Sequence, residues 1–428
     1  MKLLIQNGRV IDPVNKFDGV TDLFIDTGRI RDIGPGLKQA AEKIIDAKGR
    51  IVAPGFIDIH VHFREPGYEH KEDIESGLRA AVKGGFTGVA PMPNTYPVIQ
   101  TQADVEFVLR KSKSFGLANY YPVAAVTRSQ EGKELTEFGE LKKGGALALS
   151  DDGHSIGNSN VMRRALEYAK KFDLVIMAHC EDSALFGCGC MNEGFMSTKL
   201  GLPGIPVECE SSEVARDIQL ADMTSSRLHF CHISSRKSLD LIREAKKRGS
   251  RITAETCPHY FTLTDEAVTG YNTYAKMNPP LRTQDDVDAV RAALSDGTID
   301  AISTDHAPHS ESEKDLEFDK AAFGIIGLQS SLPLSLDLVR SKVLTLAGLI
   351  ERMSVNPARI LKLDRGTLSK NAVADITIFD PDAEWIFTKE IIESKSHNSP
   401  FLGRKMKGKA TDVVVSGRVV LENGKITE

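Results

Sequence analysis

The feature that most constrains the fold is a repeated unit in the middle of the chain, in which short apolar stretches alternate with segments of helical periodicity. Eight stretches have the length and near-continuous apolar character of buried strands: 51–62, 85–93, 118–127, 145–152, 174–181, 227–234, 251–260 and 299–308. Between them, apolar residues recur at helical spacing, most clearly within 159–172 and 236–249. Buried strands that alternate with helices indicate a parallel sheet.

Eight such units in about 260 residues predict a closed (β/α)8 barrel of the TIM type. The alternative is an open, doubly wound sheet. That fold usually carries a glycine-rich dinucleotide turn after its first strand, and none follows residues 51–62. We therefore expect the barrel.

The two ends of the chain have a different texture, with short strands and hairpin turns. Asn7-Gly8 and Thr27-Gly28 separate apolar runs near the start, and "ADITIFDP" and "DVVVSGRVVLENGKI" follow the same pattern near the end. The sequence thus predicts a small β domain, a β-sandwich, from residues 1–53 plus 364–428, and a barrel domain from 54–363.

Composition excludes several classes of function. A net charge of −5 and a pI near 6.2 give no sign of nucleic-acid binding. The apolar run at the start of the sequence is too short for a signal peptide, and no later apolar run is long enough to cross a membrane. The six cysteines form no CxxC pair. The expectation is a cytoplasmic protein with reduced thiols and no membrane association.

The stretch "FIDIHVHFREPG" (56–67) raises the first question about function. If it is a strand with strict alternation, His60, His62 and Arg64 share one face. The opposite face then takes the apolar residues Ile57, Ile59, Val61 and Phe63, which we expect to pack outward under the helices. Arg64 could clamp a substrate carboxylate with two hydrogen bonds, or form an ion pair with Glu65 or Glu69.

Other predicted strands also end in polar residues, and barrel enzymes gather their active sites at these ends. Taken singly, each histidine could be a buried structural residue. Four imidazoles and two carboxylates at one barrel mouth are better explained by a metal, since buried ionisable groups must be paired or bind an ion. The donors suit zinc, with another divalent transition metal as the alternative. The residues at these ends include His60, His62, Asp151, Asp152, His179, Glu181, His232, Asp305, His306 and His309.

A metal held in this way lowers the pKa of a bound water toward about 7. A neighbouring carboxylate can take the proton of that water and return it to a leaving group, as a general base and then acid. Asp305 is the candidate for this role.

Six motifs together closely resemble one family. "DIHVHFREPG", "MPNT", "SDDG", "AHCED", "NPPLR" and "STDHAPH" are similar to the bacterial class I dihydroorotases of the amidohydrolase superfamily, over almost the whole chain. "DIHVH" alone marks only the superfamily, whereas its extension and "STDHAPHSESEK" are more specific.

The resemblance implies a zinc-dependent enzyme that interconverts N-carbamoyl-L-aspartate and L-dihydroorotate in pyrimidine biosynthesis, with one or two Zn2+ per chain. By position, His60 and His62 with Asp305 resemble the ligands of one zinc, and His179 with His232 those of a second. Asp152 resembles a bridging ligand. The residues that resemble substrate contacts are Arg64, Asn94, Asn278 and His309. The family resemblance also implies a homodimer and a possible complex with aspartate transcarbamoylase.

Two alternatives stay open. The first is a hydantoinase- or dihydropyrimidinase-like cyclic amidase, but such relatives typically have a carboxylated lysine in strand four. Lys142 and Lys143 precede that strand and should lie at its opposite end. The second is a non-catalytic homologue that acts as a scaffold for the transcarbamoylase, although such relatives characteristically lose metal ligands. Asp151 is expected to have a turn or capping role with Gly153.

The charged segment 309–320 follows strand eight. We expect it near the mouth of the pocket, as a mobile loop or as an ordinary solvated one.

Overall fold

The computed structural model describes residues 1–427, and strands and helices alternate through most of them. The strands, in chain order, are β1 (Leu3–Asp12), β2 (Phe17–Asp26), β3 (Arg29–Gly34), β4 (Lys43–Asp46), β5 (Ile51–Pro54), β6 (Phe56–Val61), β7 (Phe86–Pro91), β8 (Asn119–Tyr120), β9 (Val123–Ala124), β10 (Ala148–Leu149), β11 (Val175–Ala178), β12 (Met191–Asn192), β13 (Gly204–Ile205), β14 (Leu228–Phe230), β15 (Ile252–Thr256), β16 (Ala301–Ile302), β17 (Ile376–Ile386), β18 (Lys405–Val415), β19 (Arg418–Glu422) and β20 (Lys425–Ile426). The α-helices are α1 (Ile74–Gly84), α2 (Gln102–Phe115), α3 (Phe138–Gly144), α4 (Ser159–Lys171), α5 (Ser183–Phe186), α6 (Phe195–Leu200), α7 (Glu208–Thr224), α8 (Arg236–Lys247), α9 (Gln284–Asp296), α10 (Glu311–Lys314), α11 (Leu328–Arg340), α12 (Leu346–Ile350) and α13 (Asn356–Ile360).

Both ends of the chain contribute to one β domain. Its strands hydrogen-bond in the order β20-β19-β18-β17-β5-β1-β2-β3, with β4 beside β1. The strand that joins the two ends is β5, which pairs in parallel with β1 and antiparallel with β17. The inward residues of these strands, such as Leu23, Val52 and Ile376, form an apolar core of their own. This confirms the predicted β domain from the two termini, while its exact boundaries at 53/54 and 363/364 stay predictions.

The middle of the chain forms the predicted (β/α)8 barrel. Around it the strands follow in sequence order as β6, β7, β8 with β9, β10, β11, β14, β15 and β16, and the neighbouring pairs are parallel. The ring closes through a parallel bridge between Val61 and His306, where the amide of His62 donates to the carbonyl of His306 at 2.8 Å. The carboxyl ends of all these strands therefore surround one opening.

The first predicted strand is wrong in one respect, because residues 51–62 are two strands that belong to different sheets. β5 lies in the terminal β domain, and β6 begins the barrel after Gly55. A Cβ at Gly55 would collide with the side chain of Thr87, so only glycine fits where the chain crosses between the sheets. An unbroken apolar run conceals this break.

Amphipathic helices cover the outside of the barrel. The predicted helices within 159–172 and 236–249 are confirmed as α4 and α8, whose buried residues recur three and four apart. A helix also closes the amino-terminal end of the barrel, where Ala358, Ile360 and Leu361 from α13 and its end pack against strand residues of the barrel interior. The interior is thus solid at the bottom and open only at the carboxyl ends of the strands.

The search for membrane spans gave a negative result: within residues 1–427, every helix is too short or too polar to cross a bilayer.

Candidate metal centre and active-site cleft

A β-bulge at the end of β6 sets the direction of the two histidines. Asp58 pairs with Val89 and Val61 with Pro91, so three steps along β6 match two steps along β7. A bulge of this kind re-aims side chains, and bulges are frequent beside active sites. Its consequence is seen in the packing: Ile57 and Ile59 contact the interior cluster of the barrel, whereas Val61 and Phe63 pack outward in the main core.

The expectation that all four apolar residues face outward is therefore wrong for Ile57 and Ile59. Strict alternation would have placed them opposite His60 and His62, but the extra residue lets both pairs face the barrel interior in succession. The predicted direction of the histidines is nevertheless confirmed, because both contact carboxylates inside the barrel mouth.

The first group of metal-ligand atoms comes from His60, His62 and Asp305. The Nε2 atom of His62 lies 3.0 Å from Asp305 Oδ1, and the Nε2 atom of His60 lies 3.6 Å from the same oxygen. All three side chains are buried. Their donor atoms lie within 4.8 Å of one another, as a shared ion requires.

The second group consists of Asp152, His179 and His232. Asp152 Oδ1 lies 3.3 Å from His232 Nε2 and 3.7 Å from His179 Nδ1, and the two imidazole nitrogens are 2.9 Å apart. Asp152 also joins the groups, since its Oδ1 is 3.3 Å from His60 Nε2 and its Oδ2 is 3.4 Å from His62 Nε2. The carboxylate of Asp152 therefore lies between the two triads, with Oδ1 near histidines of both and Oδ2 near His62.

The donor set fits a divalent metal. His60 Nε2 is buried and has no hydrogen-bond partner among residues 1–427, which would be costly for a side chain with a purely structural role. Imidazole and carboxylate are the preferred ligands of zinc and related ions. The arrangement can hold one ion in each triad, with Asp152 between them.

The ionisation of Asp152, Asp305 and His62 suits ligation. Burial opposes ionisation of Asp152, but the imidazoles of His60 and His232 outweigh it and hold the pKa of the carboxyl well below its usual value. The pKa of Asp305 is also lowered, because the imidazole of His62 overcomes the effect of burial. Both carboxylates are therefore ionised at neutral pH. Burial lowers the pKa of His62, which favours the neutral, ligating form of that ring.

Hydrogen bonds behind the ligands fix the ring orientations. His60 Nδ1 lies 2.8 Å from Glu255 Oε1, and His62 Nδ1 lies 2.9 Å from Asn94 Oδ1. Since a carboxylate or an amide oxygen can only accept, each Nδ1 must donate. The lone pair of each Nε2 is then directed into the cluster, as metal ligation requires.

Sequence reasoning missed Glu255. It lies in β15, is fully buried, and also lies 3.2 Å from His229 Nε2. Its pKa is held far below the usual value because the imidazoles of His229 and His60 outweigh burial. The available signal was a carboxylate within the predicted buried strand "RITAETC", which such a strand tolerates only with partners.

The cluster opens into a cavity of about 390 Å³. Every predicted site residue except His60 lines it, and His60 lies directly beneath. The lining is completed by residues that were not predicted to belong to the site: Gly153, Glu181, Phe186, Ala307, Phe323 and Gly324.

Arg64 forms one side of this cavity. Its Nε donates to the carbonyl of Pro308 at 3.2 Å, and its Nη2 lies 3.3 Å from His309 Nε2. The alternative ion pairs are absent: Glu65 is bound to Lys111, and Glu69 accepts from the amide of Gly67. Among residues 1–427, no carboxylate lies within ion-pair distance of Arg64, and its charge is directed toward the cavity.

The other predicted substrate contacts lie around the same opening. Burial lowers the pKa of His309 to about 3, so its imidazole is neutral at physiological pH. Asn278 donates through Nδ2 to Glu181 Oε2 at 2.5 Å, and Glu181 in turn lies 3.6 Å from His179 Nε2. Asn94 lines the cavity, and its Oδ1 also accepts the hydrogen bond from His62 Nδ1.

Strand four carries the features expected of it, with one difference. Lys142 and Lys143 are exposed at the end of α3, before β10, away from the metal ligands. The predicted turn role of Asp151 is confirmed, because its carbonyl accepts from the amide of His154 at 2.8 Å across a turn that contains Gly153. The difference lies in its side chain, whose carboxylate accepts from the amides of Val126 and Thr127 at 2.8 and 3.0 Å and so joins strand three to strand four.

Comparison with known proteins identifies close relatives over nearly the full length. A family model described as Dihydro-orotase-like matches residues 49–238. A protein named Dihydroorotase from Geobacter metallireducens is 55% identical over 421 residues, which is 98% of this chain and 99% of the relative. Another of the same name from Pelobacter propionicus is also 55% identical over 421 residues, with the same coverage.

Solved structures with the same fold are more distant in sequence. An L-hydantoinase (dihydropyrimidinase) from Arthrobacter aurescens superposes with a TM-score of 0.88 at 24% identity, covering 100% of this chain and 97% of that one. A D-hydantoinase superposes with a TM-score of 0.83, also at 24% identity, covering 100% and 96%. At this identity the likeness concerns the fold, a (β/α)8 barrel with a β domain from both termini.

Proposed function

The chain belongs to the dihydroorotase family, and from that premise we propose that it catalyses the reversible cyclisation of N-carbamoyl-L-aspartate to L-dihydroorotate in pyrimidine biosynthesis. It is a metal-dependent cyclic amide hydrolase. Its substrate is a small molecule, and its net charge of −5 gives no reason to expect a nucleic acid as partner.

We assign zinc as the metal, one or two ions per chain. His60, His62 and Asp305 would hold one ion, His179 and His232 the other, and Asp152 would bridge them. The support is the donor set, the shared Asp152 and the unpartnered Nε2 of His60. When bound, zinc supplies a water of lowered pKa and polarises a carbonyl oxygen.

Asp305 has the proton-transfer role in this proposal. Its lowered pKa makes it a carboxylate at neutral pH, so it can accept a proton from the attacking water. In the hydrolytic direction it then returns that proton to the ring nitrogen, which leaves as the free end of the carbamoyl group. Its Oδ1 is held 3.0 Å from His62 Nε2, at the base of the cavity.

The single observation that carries the choice of substrate is the unpaired guanidinium of Arg64 in the wall of the cavity. A buried or half-buried cation facing a cavity requires an anion, and dihydroorotate supplies one in its carboxylate. Asn94, Asn278 and His309 would hold the same end of the substrate. Since His309 is neutral, its role is hydrogen bonding rather than charge.

The alternatives are disfavoured by particular residues. A hydantoinase or dihydropyrimidinase acts on a ring without a carboxylate, which would leave Arg64 unpaired. A non-catalytic scaffold would not need the complete ligand set, and all six ligand residues are present and adjacent.

Steady-state assays with L-dihydroorotate and with dihydrouracil, run with a measurement of metal per chain, test the proposal. We expect hydrolysis of dihydroorotate to be strongly preferred by a preparation that contains zinc. A preference for dihydrouracil would exclude the proposed substrate, and turnover by metal-free protein would exclude the proposed centre.

We further propose a homodimer that can form a complex with aspartate transcarbamoylase, on the basis of the family. Each of the six cysteines is a free thiol, which suits the reducing cytoplasm that we propose as its location.

A further inference from the structure

The segment that follows β16 contains a lysine that is almost completely buried. Lys314 lies at the end of α10 and is 1% exposed, and Lys276, from a different part of the chain, is 2% exposed beside it. Lysines are rarely buried unless they are paired with a carboxylate. Within residues 1–427, neither ammonium has a carboxylate within ion-pair distance, so both need another explanation.

Backbone carbonyls take the place of counter-ions at Lys314. Its Nζ donates to the carbonyl oxygens of Ala322, Gly324 and Lys276 at 2.7, 3.0 and 3.2 Å. An ammonium has three N–H donors, and all three are used. Burial, together with the nearby charge of Lys276, lowers the pKa of Lys314 to about 7.

Lys276 binds carbonyl groups of the same segment. Its Nζ donates to the carbonyls of Ala321 and Asp319 at 2.6 and 3.1 Å, and lies 4.3 Å from the centre of the Phe323 ring. The aromatic face adds a cation–π contact to the two hydrogen bonds. The two lysines together bind five carbonyl groups, four of which belong to residues 319–324. Lys276 Nζ also lies 5.5 Å from the centre of a second ring, that of Phe318.

These contacts end at the wall of the cavity. Phe323 and Gly324 line the cavity. So do His309, at the start of the segment 309–324, and Asn278, two residues after Lys276. The amide of Gly324 donates to the carbonyl of Lys276 at 3.0 Å, so the two lining segments are also joined through the backbone.

Gly324 is held by contacts on both sides of its backbone. Its φ is +128°, and a Cβ there would lie 2.7 Å from the Cβ of Ala307. Its carbonyl also accepts from Asn398 Nδ2 at 3.0 Å, and the amide of His309 donates to Asn398 Oδ1 at 3.1 Å. The wall is thus connected on both sides before any substrate is present.

We propose that Lys314 and Lys276 are positioning residues for the substrate: together they hold the segment 309–324 against the segment 276–278 as a preformed wall of the cavity. The segment after β16 is then not a lid that orders on the substrate. The reference to substrate rests on the proposed function, whereas the preformed wall does not depend on it.

Hydrogen–deuterium exchange of the wild-type holoenzyme without substrate tests the wall directly. The amides of Ala322 and Gly324, which donate to the carbonyls of Glu313 and Lys276, should exchange as slowly as those of the barrel strand β15. Fast exchange that becomes slow only when carbamoyl-aspartate is added would show a lid and overturn the proposal. This result stands whatever ring the enzyme turns out to open.

Kinetics of Lys314→Met test the effect on substrate. The variant keeps an unbranched side chain, shorter by one heavy atom, and removes all three donors. We expect KM for dihydroorotate to rise about tenfold or more, as misplaced binding groups produce, with kcat much less affected and metal content unchanged. The matched control is Lys320→Met, because Lys320 belongs to the same segment but its side chain is 64% exposed.

An unchanged KM in folded Lys314→Met would refute the positioning role. If that variant does not fold, Lys276→Met, which leaves Lys314 in place, provides the same kinetic comparison, and the exchange experiment on the wild type decides in either case. Failure of the dihydroorotate assay itself would refute the proposed function but leave the exchange result intact.

Discussion

The floor and the wall of the cavity are built by different kinds of contact. The floor consists of the proposed metal ligands His60, His62, Asp152, His179, His232 and Asp305. Each lies within three residues of the carboxyl end of a barrel strand. Two of the rings are fixed from behind by Glu255 and Asn94. The wall consists of Arg64, Asn278, His309, Phe323 and Gly324. Its members lie in loops, and buried lysines and Asn398 bind the backbone of those loops.

This difference shows two ways to fix the position of an active-site residue. A sheet can place the residues at the ends of its strands, or buried side chains can hold a loop by donating to its carbonyl groups. In the floor, the strand ladder places the side chains, so a substitution there should change the metal and the turnover. In the wall, the donors of a few distant residues place the backbone, so a substitution should change binding of the substrate while the metal stays. The predictions below test this division, beginning with the largest effect.

Replacement of a floor ligand should have the largest effect. In His60→Ala, loss of one imidazole disrupts the first triad and its contact with Asp152. We expect turnover to lose most of the ~10⁶-fold or greater acceleration typical of enzymes, together with a lower zinc content. The control is His70→Ala, since His70 is exposed and outside the cavity. Wild-type turnover by His60→Ala would contradict the ligand assignment.

Removal of the charge behind the floor should weaken the metal site. In Glu255→Gln, His60 keeps a hydrogen-bond acceptor but loses the carboxylate that increases its basicity, and we expect zinc affinity to fall about 10- to 100-fold. The matched control is Glu72→Gln, because Glu72 is a buried glutamate 3.2 Å from His306, which is not a proposed ligand. Competition with a zinc chelator measures both variants. Equal affinities would show that Glu255 has only a structural role.

Replacement of a wall residue should leave the metal in place. In Arg64→Met we expect KM for dihydroorotate to rise roughly 10- to 100-fold, in line with the ~1.5–3 kcal/mol of a hydrogen bond to a charged group, with unchanged zinc content. Arg128→Met is the control, since the Arg128 side chain is 60% exposed. Steady-state kinetics and metal analysis on the same preparations separate the two effects. Loss of zinc from Arg64→Met would break the division between floor and wall.

The smallest expected effect concerns the pH dependence of stability. The folded-state pKa of His309 is about 3 because of burial, below its usual value near 6.5, so the unfolded chain binds the proton more readily between these values. Stability should therefore fall as the pH falls below 6.5, with a contribution from His309 of up to about 1.4 kcal/mol per pH unit.

Urea unfolding at pH 7 and pH 5 measures this contribution. His309→Gln should lose less stability on acidification than the wild type, whereas His70→Gln, at an exposed site, should behave like the wild type. If all three proteins lost the same amount of stability on acidification, the acid sensitivity would arise from other groups, for instance the proposed metal ligands of the floor.

The sequence was a good guide to the floor for a physical reason. A buried parallel strand must be apolar, so the histidines and aspartates that follow such strands mark their carboxyl ends. Since all of these ends meet at one opening, the proximity of His60, Asp152 and His232 could be predicted without coordinates, and the structure places them within a few ångströms of each other.

What the sequence did not reveal depends on contacts between distant residues. The bulge in β6 is set by pairing with β7, so strict alternation gave the wrong face for Ile57 and Ile59. Lys314 lies in the stretch "SESEKDLEFDK", which has the composition of a solvated loop. No neighbouring residue in the sequence indicates that its side chain is buried and bound by three carbonyl groups. The break at Gly55 was hidden for a similar reason, because both sheets require the same apolar residues on either side of it.

The central position of β5 in the terminal sheet has a consequence for synthesis on the ribosome. β5 lies between β1, which precedes it in the chain, and β17, which is made more than three hundred residues later. While the barrel is being translated, one edge of β5 has no partner, and an unpaired strand edge invites association with other chains. Residues 376–426 therefore complete the sheet only after the whole barrel has been made, although the first strands of that sheet precede the barrel in the chain.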